Sequence, residues 1–201
     1  MKVLLFGGNK GAFFVTYLQI WRQRIADYME EQLRKDASEK DVKEHAKKKF
    51  LIPKFEIDIN DTKITDTHSE KKDSHGYILV QASRITKEYK ITLKFTGDLE
   101  LLNYRPTNYT GIDKEVEIEK TKGKNEYEIS VYFKCLMNNQ TDFDRSKASC
   151  FVSFYENSME LNKLIESANK DIDHDIENIY KKVIEYKTIT DEFNKRNNII
   201  T

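Results

Sequence analysis

The sharpest pattern that could carry chemistry lies at the N-terminus. The apolar run 3–6 is followed by four residues suited to contact a phosphate: Gly7, Gly8, Lys10 and Gly11. A strand, a glycine turn and a helix N-terminus can hold an anion, because free backbone N–H groups point at it. The glycine spacing matches neither the dinucleotide-binding fingerprint nor the P-loop. Nucleotide binding at these four residues is therefore an alternative hypothesis, and an ordinary turn is the simpler interpretation.

A second group combines carboxylates with an imidazole on one predicted helix. Asp171, Asp173, His174 and Asp175 offer oxygen and nitrogen ligands of the kinds that divalent metals bind. Asp171 shares a helix face with His174 and with Asp175, but Asp173 lies on another side. A solvated acidic face is the simpler interpretation, so we predict no metal site. Asp171, His174 and Asp175 remain candidate contacts for a protein partner.

A third group is basic. Lys43, Lys47, Lys48 and Lys49 can contact phosphates, so nucleic-acid binding is a further alternative. The stretch 156–178 is acidic, and its carboxylates can pair with these lysines in place of phosphates. The sequence leaves three interpretations of the basic patch open: it faces a nucleic acid, the acidic stretch or water.

The remaining reactive side chains form no known catalytic pattern. The four histidines have no activated nucleophile beside them, and the sequence contains no nucleophile elbow, zinc-protease motif or paired-cysteine motif. Cys135 and Cys150 each adjoin apolar residues, which favours buried, unreactive thiols. We therefore expect a non-catalytic protein without a cofactor.

Length and composition limit the class of protein further. The chain has 201 residues with 34 basic and 34 acidic side chains, and this balance excludes a globally basic nucleic-acid binder. Aromatic residues make up 11%, which argues against disorder. The N-terminal apolar run is shorter than a signal peptide requires, and no run is long enough to cross a membrane. We expect a cytoplasmic protein that does not bind a membrane.

Apolar residues recur at helical spacing near both ends of the chain, which predicts helices there. These helices position several of the groups described above. The spacing predicts a helix over 13–35, and Ser38 predicts the capped start of a second helix that ends near residue 50. A long apolar stripe predicts a helix over 158–187 with Asn157 as its cap, and a final short helix follows from about residue 190.

Between these helices the period changes from 3.6 to 2, which is typical of strands. Apolar and polar residues alternate in several runs, among them 88–95 and 126–133, and strict alternation indicates antiparallel strands with one buried face. The run 148–155 is interpreted as the last strand. The loop 136–147 before it is long enough to bind a partner. Its candidate contacts are Met137, Asn138, Asn139 and Phe143.

The order of elements predicts an α+β fold, with an antiparallel, sandwich-like sheet packed against long N- and C-terminal helices. The expected segments are an N-terminal helical segment (1–53), a β region (54–156) and a C-terminal long helix (157–201), together forming one integrated domain. A helix as long as 158–187 commonly packs along another helix or across a subunit interface. We therefore expect a homo-oligomer or another protein partner.

One segment carries a family resemblance. The run 95–106 (FTGDLELLNYRP), followed by a strand and by Asn169-Lys170-Asp171-Ile172 in a long helix, resembles an uncharacterised bacterial domain. In that group an N-terminal helix precedes a small β-rich region, and a long helix often leads into a separate effector domain. Such proteins are often suspected of roles in anti-phage defence. The resemblance spans about residues 13–195 and carries over no functional residues.

The sequence favours a non-catalytic binding, sensing or scaffold module that acts through protein association. The resemblance implies that it is the recognition part of a bacterial defence system. Because the sequence ends at Thr201, the resemblance also implies a shortened chain or a version whose effector is on another chain. Nucleotide binding at 7–11 and nucleic-acid binding at 43–49 are the two alternatives.

Overall fold

The computed structural model of the chain separates into two compact units. One comprises Met1–Ala12 with Lys54–Asn162, and the other comprises Phe13–Pro53 with Lys163–Thr201. We call them the sheet unit and the helical unit. The residues that the structure describes are 2–4, 6, 12–67, 86–109, 115–121, 123, 125–136 and 139–197. No helix within these ranges is long and apolar enough to cross a membrane.

The sheet unit is built on one antiparallel sheet in the order β1-β4-β5-β3-β2. The strands are β1 (Lys2–Leu4), β2 (Glu56–Asp66), β3 (Thr86–Thr96), β4 (Glu115–Lys120) and β5 (Glu126–Leu136). Strands β3 and β5 pair along their whole length, with Ile91 opposite Val131 and Leu93 opposite Ile129. All four of these side chains are buried on one face, as alternation requires. The predicted α+β class is confirmed.

The opposite face of the sheet is polar. Lys90 Nζ lies 3.2 Å from Glu117 Oε2, and the Tyr132 hydroxyl donates to the same oxygen at 2.9 Å. The hydroxyl oxygens of Thr92 and Ser130 are 2.8 Å apart. These cross-strand contacts help to fix the register of the central strands.

Two segments of the sheet unit differ from their predictions. The loop expected at 136–147 is largely the helix α3 (Gln140–Ser149), and the strand expected at 148–155 is largely the start of the helix α4 (Val152–Lys170). The strand prediction is wrong because a short apolar run has no period that separates a buried strand from a buried helix. The loop prediction is wrong because 140–149 is mostly polar and carries no apolar stripe that would indicate a helix.

The first turns of α4 pack on the sheet. Phe154 meets Phe95 edge to face, with 5.7 Å between the ring centroids. Asn157, which the sequence suggested as a helix cap, lies inside α4 and donates to the Ser153 carbonyl at 2.8 Å. That cap is wrong because the helix already begins at Val152.

Two asparagines of α4 hold the segment that precedes β2. The Asn162 amide donates to the Phe55 carbonyl at 2.8 Å and accepts from the Phe55 N–H at 2.7 Å. Seven residues later, Asn169 makes the same two bonds with Ile52, at 2.8 and 3.0 Å. Each amide thus satisfies backbone groups beside Pro53 that belong to no helix or strand.

The helical unit is formed by three further helices and the end of α4. They are α1 (Phe14–Arg34), α2 (Glu39–Phe50) and α5 (Ile172–Arg196). Ser38 caps α2 as predicted, since its hydroxyl accepts from the Asp41 N–H at 3.2 Å. The Trp21 indole donates to the Phe50 carbonyl at 2.9 Å. Other buried side chains of α1 and α2 are Phe14, Tyr17, Ile25, Met29, Val42 and Ala46.

The long C-terminal helix differs from its prediction at two points. The helix expected over 158–187 is interrupted at Asp171, which separates α4 from α5. The interruption is local, because the Asp175 N–H still donates to the Asp171 carbonyl at 2.9 Å. The short helix expected from Thr190 is instead the last part of α5.

Candidate interaction surface

Helices α1 and α5 lie side by side in the helical unit and form a groove of about 890 Å³. Near its start, the Arg22 guanidinium makes two hydrogen bonds to the Asp175 carboxylate, at 3.0 and 3.1 Å. From there the walls extend to Arg34 on α1 and to Asn194 on α5. The two helices therefore run in the same direction.

One face of the first part of α5, residues 172–180, is buried within the helical unit. Ile172, Ile176 and Tyr180 recur every four residues and are all buried. The Lys43 ammonium lies 4.5 Å from the centroid of the Tyr180 ring. Burial raises the pKa of the Tyr180 hydroxyl. This part of the helix belongs to the core.

Ion pairs with α2 hold the same part of α5. Lys43 Nζ lies 2.6 Å from Glu177 and 2.5 Å from Glu39, and Lys47 Nζ lies 2.7 Å from Asp173. Hydrogen bonding to Glu177 and then to Glu39 raises the pKa of Lys43, and the bond from Lys43 lowers the pKa of Glu177. The basic run and the acidic stretch therefore meet at two points.

The second part of α5, residues 181–196, carries an apolar stripe toward solvent. Tyr186, Ile189 and Phe193 are exposed by 67, 59 and 59%. Their spacing of three and four residues places them on one face of the helix. We call these three residues the α5 stripe.

The α5 stripe borders the groove. Tyr186 belongs to both, and half-buried apolar side chains form the floor beside it. They are Ala26 and Leu33 of α1 and Ile179 and Val183 of α5. A contiguous apolar surface rimmed by polar residues marks an interaction site more often than isolated exposed apolar residues do.

Several predicted site residues lie outside the described residues. They are Gly7, Gly8, Lys10 and Gly11 of the phosphate-loop hypothesis and Met137 and Asn138 of the predicted binding loop. Just before the glycines, β1 pairs with β4, with Val3 opposite Val116. Nucleotide binding at these glycines stays a prediction.

The other two residues predicted in that loop have contacts inside the sheet unit. The Asn139 side chain caps α3 by accepting from the Asp142 N–H at 3.0 Å. The Phe143 ring packs edge-on against Tyr89 and Phe133, with centroid distances of 5.1 and 5.6 Å. Both residues therefore help to hold α3 on the sheet.

The predicted acidic contacts lie at the start of α5. Asp175 binds Arg22, and His174 Nε2 lies 2.8 Å from the Asn178 amide nitrogen. Asp171 occupies the N-cap position of α5 and makes no side-chain cap hydrogen bond. Within the described ranges, no group of three or more His, Cys, Asp or Glu side chains could hold a metal ion.

The basic patch is partly neutralised within the helical unit. Lys43 and Lys47 make the ion pairs described above, and Lys49 Nζ lies 4.2 Å from the centroid of the Tyr28 ring. Lys48 is exposed. Paired lysines attract phosphates less strongly than unpaired ones, so this arrangement weakens the electrostatic basis of the nucleic-acid hypothesis, which stays a prediction.

The burial expected of the two thiols is confirmed. Cys135 and Cys150 are both buried. Burial, with a smaller contribution from Asp142, raises the pKa of the Cys135 thiol. Because the thiolate is the reactive form, a raised pKa lowers reactivity.

The α5 stripe was not among the contact residues predicted from the sequence. A signal was present, because Ile179, Val183, Tyr186, Thr190 and Phe193 follow the alternating spacing of four and three residues that is typical of helix–helix seams. Assigning a new helix to residue 190 divided this series.

The groove and the α5 stripe are the surface that the geometry of the helical unit singles out. Comparisons with protein-family models, with curated proteins and with solved structures find no match to this chain. No similar protein therefore suggests a function for this surface.

Proposed function

We propose that this protein is a non-catalytic association module that binds an amphipathic helix along the groove between α1 and α5. The observation that carries the proposal is the α5 stripe, three large apolar side chains that are each more than half exposed. Full burial of such a side chain is worth about 1.5–3 kcal/mol, so a partner that covers the stripe gains affinity.

The form of the groove favours a helical partner. Amphipathic helices dock into grooves through apolar side chains at three- and four-residue spacing. The small side chain of Ala26 lies in the floor and leaves room for a large side chain of the partner. Asp27 on one wall and Lys187 on the other favour a partner that carries both signs of charge.

Site-specific photocrosslinking in the cells that produce the protein tests the proposal. A benzophenone amino acid replaces Tyr186, and the matched control replaces Thr188, which is exposed on the opposite face of the same helix. We expect one discrete protein adduct from position 186 and none from position 188. Adding Phe193→Glu should remove the adduct without lowering the melting temperature of the purified monomer, because Phe193 is exposed.

Three results would contradict the proposal: equal adducts from both positions, no adduct from position 186, or an adduct that persists with Phe193→Glu. The mass of the adduct separates two kinds of partner, a second copy of the chain and a different protein. Either partner is consistent with an association module.

The role in bacterial defence that the family resemblance implies stays a prediction. An association module is consistent with the recognition part of such a system, with its effector on another chain. The nucleotide and nucleic-acid alternatives also stay predictions, and neither is favoured by a contact within the described residues.

A further inference from the structure

We infer that the helix in the groove is α5 of a second copy of this chain, which lies antiparallel to α1 in a two-fold symmetric dimer. The inference rests on the proposed function and names its partner. In a two-fold dimer the same pair of surfaces meets twice, so the α1 wall of each copy must complement the α5 wall of the other. The charges on the two walls meet this condition.

The α5 wall carries two positive side chains followed by a negative one. Lys182, Lys187 and Asp191 line the groove in that order and are exposed. Among the residues that the structure describes, none of the three has an ion-pair partner. These charges are therefore available to a second chain.

The α1 wall carries one positive side chain, two negative ones and, at its far end, the positive Arg34. Arg22, Asp27 and Glu30 line the groove in that order. Asp27 accepts from the Gln23 amide at 2.8 Å, and Glu30 lies 2.5 Å from Arg34. These partners are on α1 itself, and the Glu30 side chain is still 45% exposed. The first three charges of the α1 wall are thus the inverse of the three charges of the α5 wall, and Arg34 is paired with Glu30 on its own helix.

Antiparallel docking pairs each of these charges with its opposite. In this register Asp27 of one copy faces Lys187 of the other and Glu30 faces Lys182. Arg22, which also bonds Asp175 of its own chain, faces Asp191. The spacing agrees, because Arg22 to Glu30 spans about 12 Å and Lys182 to Asp191 about 13.5 Å at 1.5 Å per residue. Parallel docking would instead oppose Arg22 to Lys182 and Glu30 to Asp191, which are like charges.

Apolar residues fit the same register. Tyr186 of one copy comes level with Ala26 of the other, where a small side chain accommodates a large one. Phe193 comes level with Ile20, which is 38% exposed. The formal net charge of the chain is zero, so two copies approach without net repulsion.

Charge-swapped variants of the full chain test the inference by sedimentation velocity. One variant carries Asp27→Lys with Glu30→Lys, and the other carries Lys182→Glu with Lys187→Glu. We expect a wild-type dimer and, for each variant by itself, a dimer dissociation constant raised at least about tenfold, because both contacts become like-charged. An equimolar mixture should restore the dimer, because both contacts then join opposite charges.

A control excludes a folding defect as the cause. At a protein concentration low enough to keep the wild type monomeric, circular dichroism melting of each variant should match the wild type, since all four substituted side chains lie in exposed or half-exposed positions. Rescue by mixing requires contact between two different chains, so misfolding cannot imitate it. A single chain that carries all four substitutions should also dimerise, because its two walls are again complementary.

A wild-type chain that stays monomeric at all concentrations would overturn the inference. A mixture that associates no more tightly than its two components would do the same. The proposed function would survive either result if position 186 crosslinks to a protein of different mass. It fails as well if positions 186 and 188 crosslink equally, so the two failures are distinguishable.

Discussion

The two parts of α5 are one helix in opposite surroundings. Over 172–180 three apolar side chains are buried, and Asp173, Asp175 and Glu177 pair with basic residues of α1 and α2. Over 181–196 the three side chains of the α5 stripe are exposed. Helical periodicity thus determines which side chains share a face, whereas tertiary packing determines what covers that face.

The difference matters because most of the stability of a protein helix comes from tertiary packing of its apolar face. The first part of α5 obtains that packing within the helical unit. The second part has an equally regular backbone, and its apolar face is the α5 stripe. We infer that a second copy of the chain covers that stripe.

The largest contrast should come from shortening one isoleucine in each part. Ile176→Ala removes a buried side chain and should lower the free energy of unfolding by about 2–5 kcal/mol. Ile189→Ala shortens an exposed side chain and should change the stability of the monomer by less than about 0.5 kcal/mol while weakening association. Urea unfolding at low protein concentration measures both stabilities. Equal destabilisation by the two substitutions would remove the distinction between the parts.

A smaller contrast should come from one lysine beside each part. Lys43→Ala removes contacts with Glu39, Glu177 and the Tyr180 ring, and should cost up to about 1 kcal/mol of stability. Lys187→Ala should leave the melting temperature of the monomer unchanged, since Lys187 has no ion-pair partner within the described ranges. Thermal melts compare the two variants. A larger loss from Lys187→Ala than from Lys43→Ala would reverse the comparison.

The smallest effect is a pH dependence confined to the first part. The hydrogen bond from Lys43 lowers the pKa of Glu177 below its ordinary value of 4.5. The stabilising contribution of this hydrogen bond is therefore complete above pH 4.5. It is lost as the pH falls through the lowered pKa of Glu177. Glu177→Gln should flatten part of the acid side of the stability profile, measured by thermal melts at decreasing pH.

The Lys43→Ala background provides the control for that pH dependence. There the Glu177→Gln substitution should have much less further effect, because the hydrogen bond is already gone. An equal effect of Glu177→Gln in both backgrounds would show that another group causes the pH dependence.

The elements that follow local rules could be predicted from the sequence. Alternation located β3 and β5, and Ser38 marked the start of α2, because both patterns depend on near neighbours. The apolar run around Phe151 and Phe154 was assigned to a strand, although their spacing of three residues also fits a helix. Five residues are too few to separate these two periods.

The candidate surface was only partly predictable. The length of the C-terminal helix indicated a protein partner, but the residues chosen on it included His174 and Asp175, which have contacts inside the helical unit. The exposed part of α5 depends on where α1 ends and on which α5 acids meet Lys43 and Lys47. These are long-range contacts, which no local pattern records.

Amide hydrogen exchange along α5, measured over a wide range of protein concentrations, tests the central claim most directly. The account predicts slow exchange over 172–180 at every concentration, because this part is packed within the chain. It predicts that exchange over 181–196 becomes slow only as the protein is concentrated and the dimer forms. Protection of 181–196 that does not change with concentration would contradict the division of α5 into an internal part and an association part.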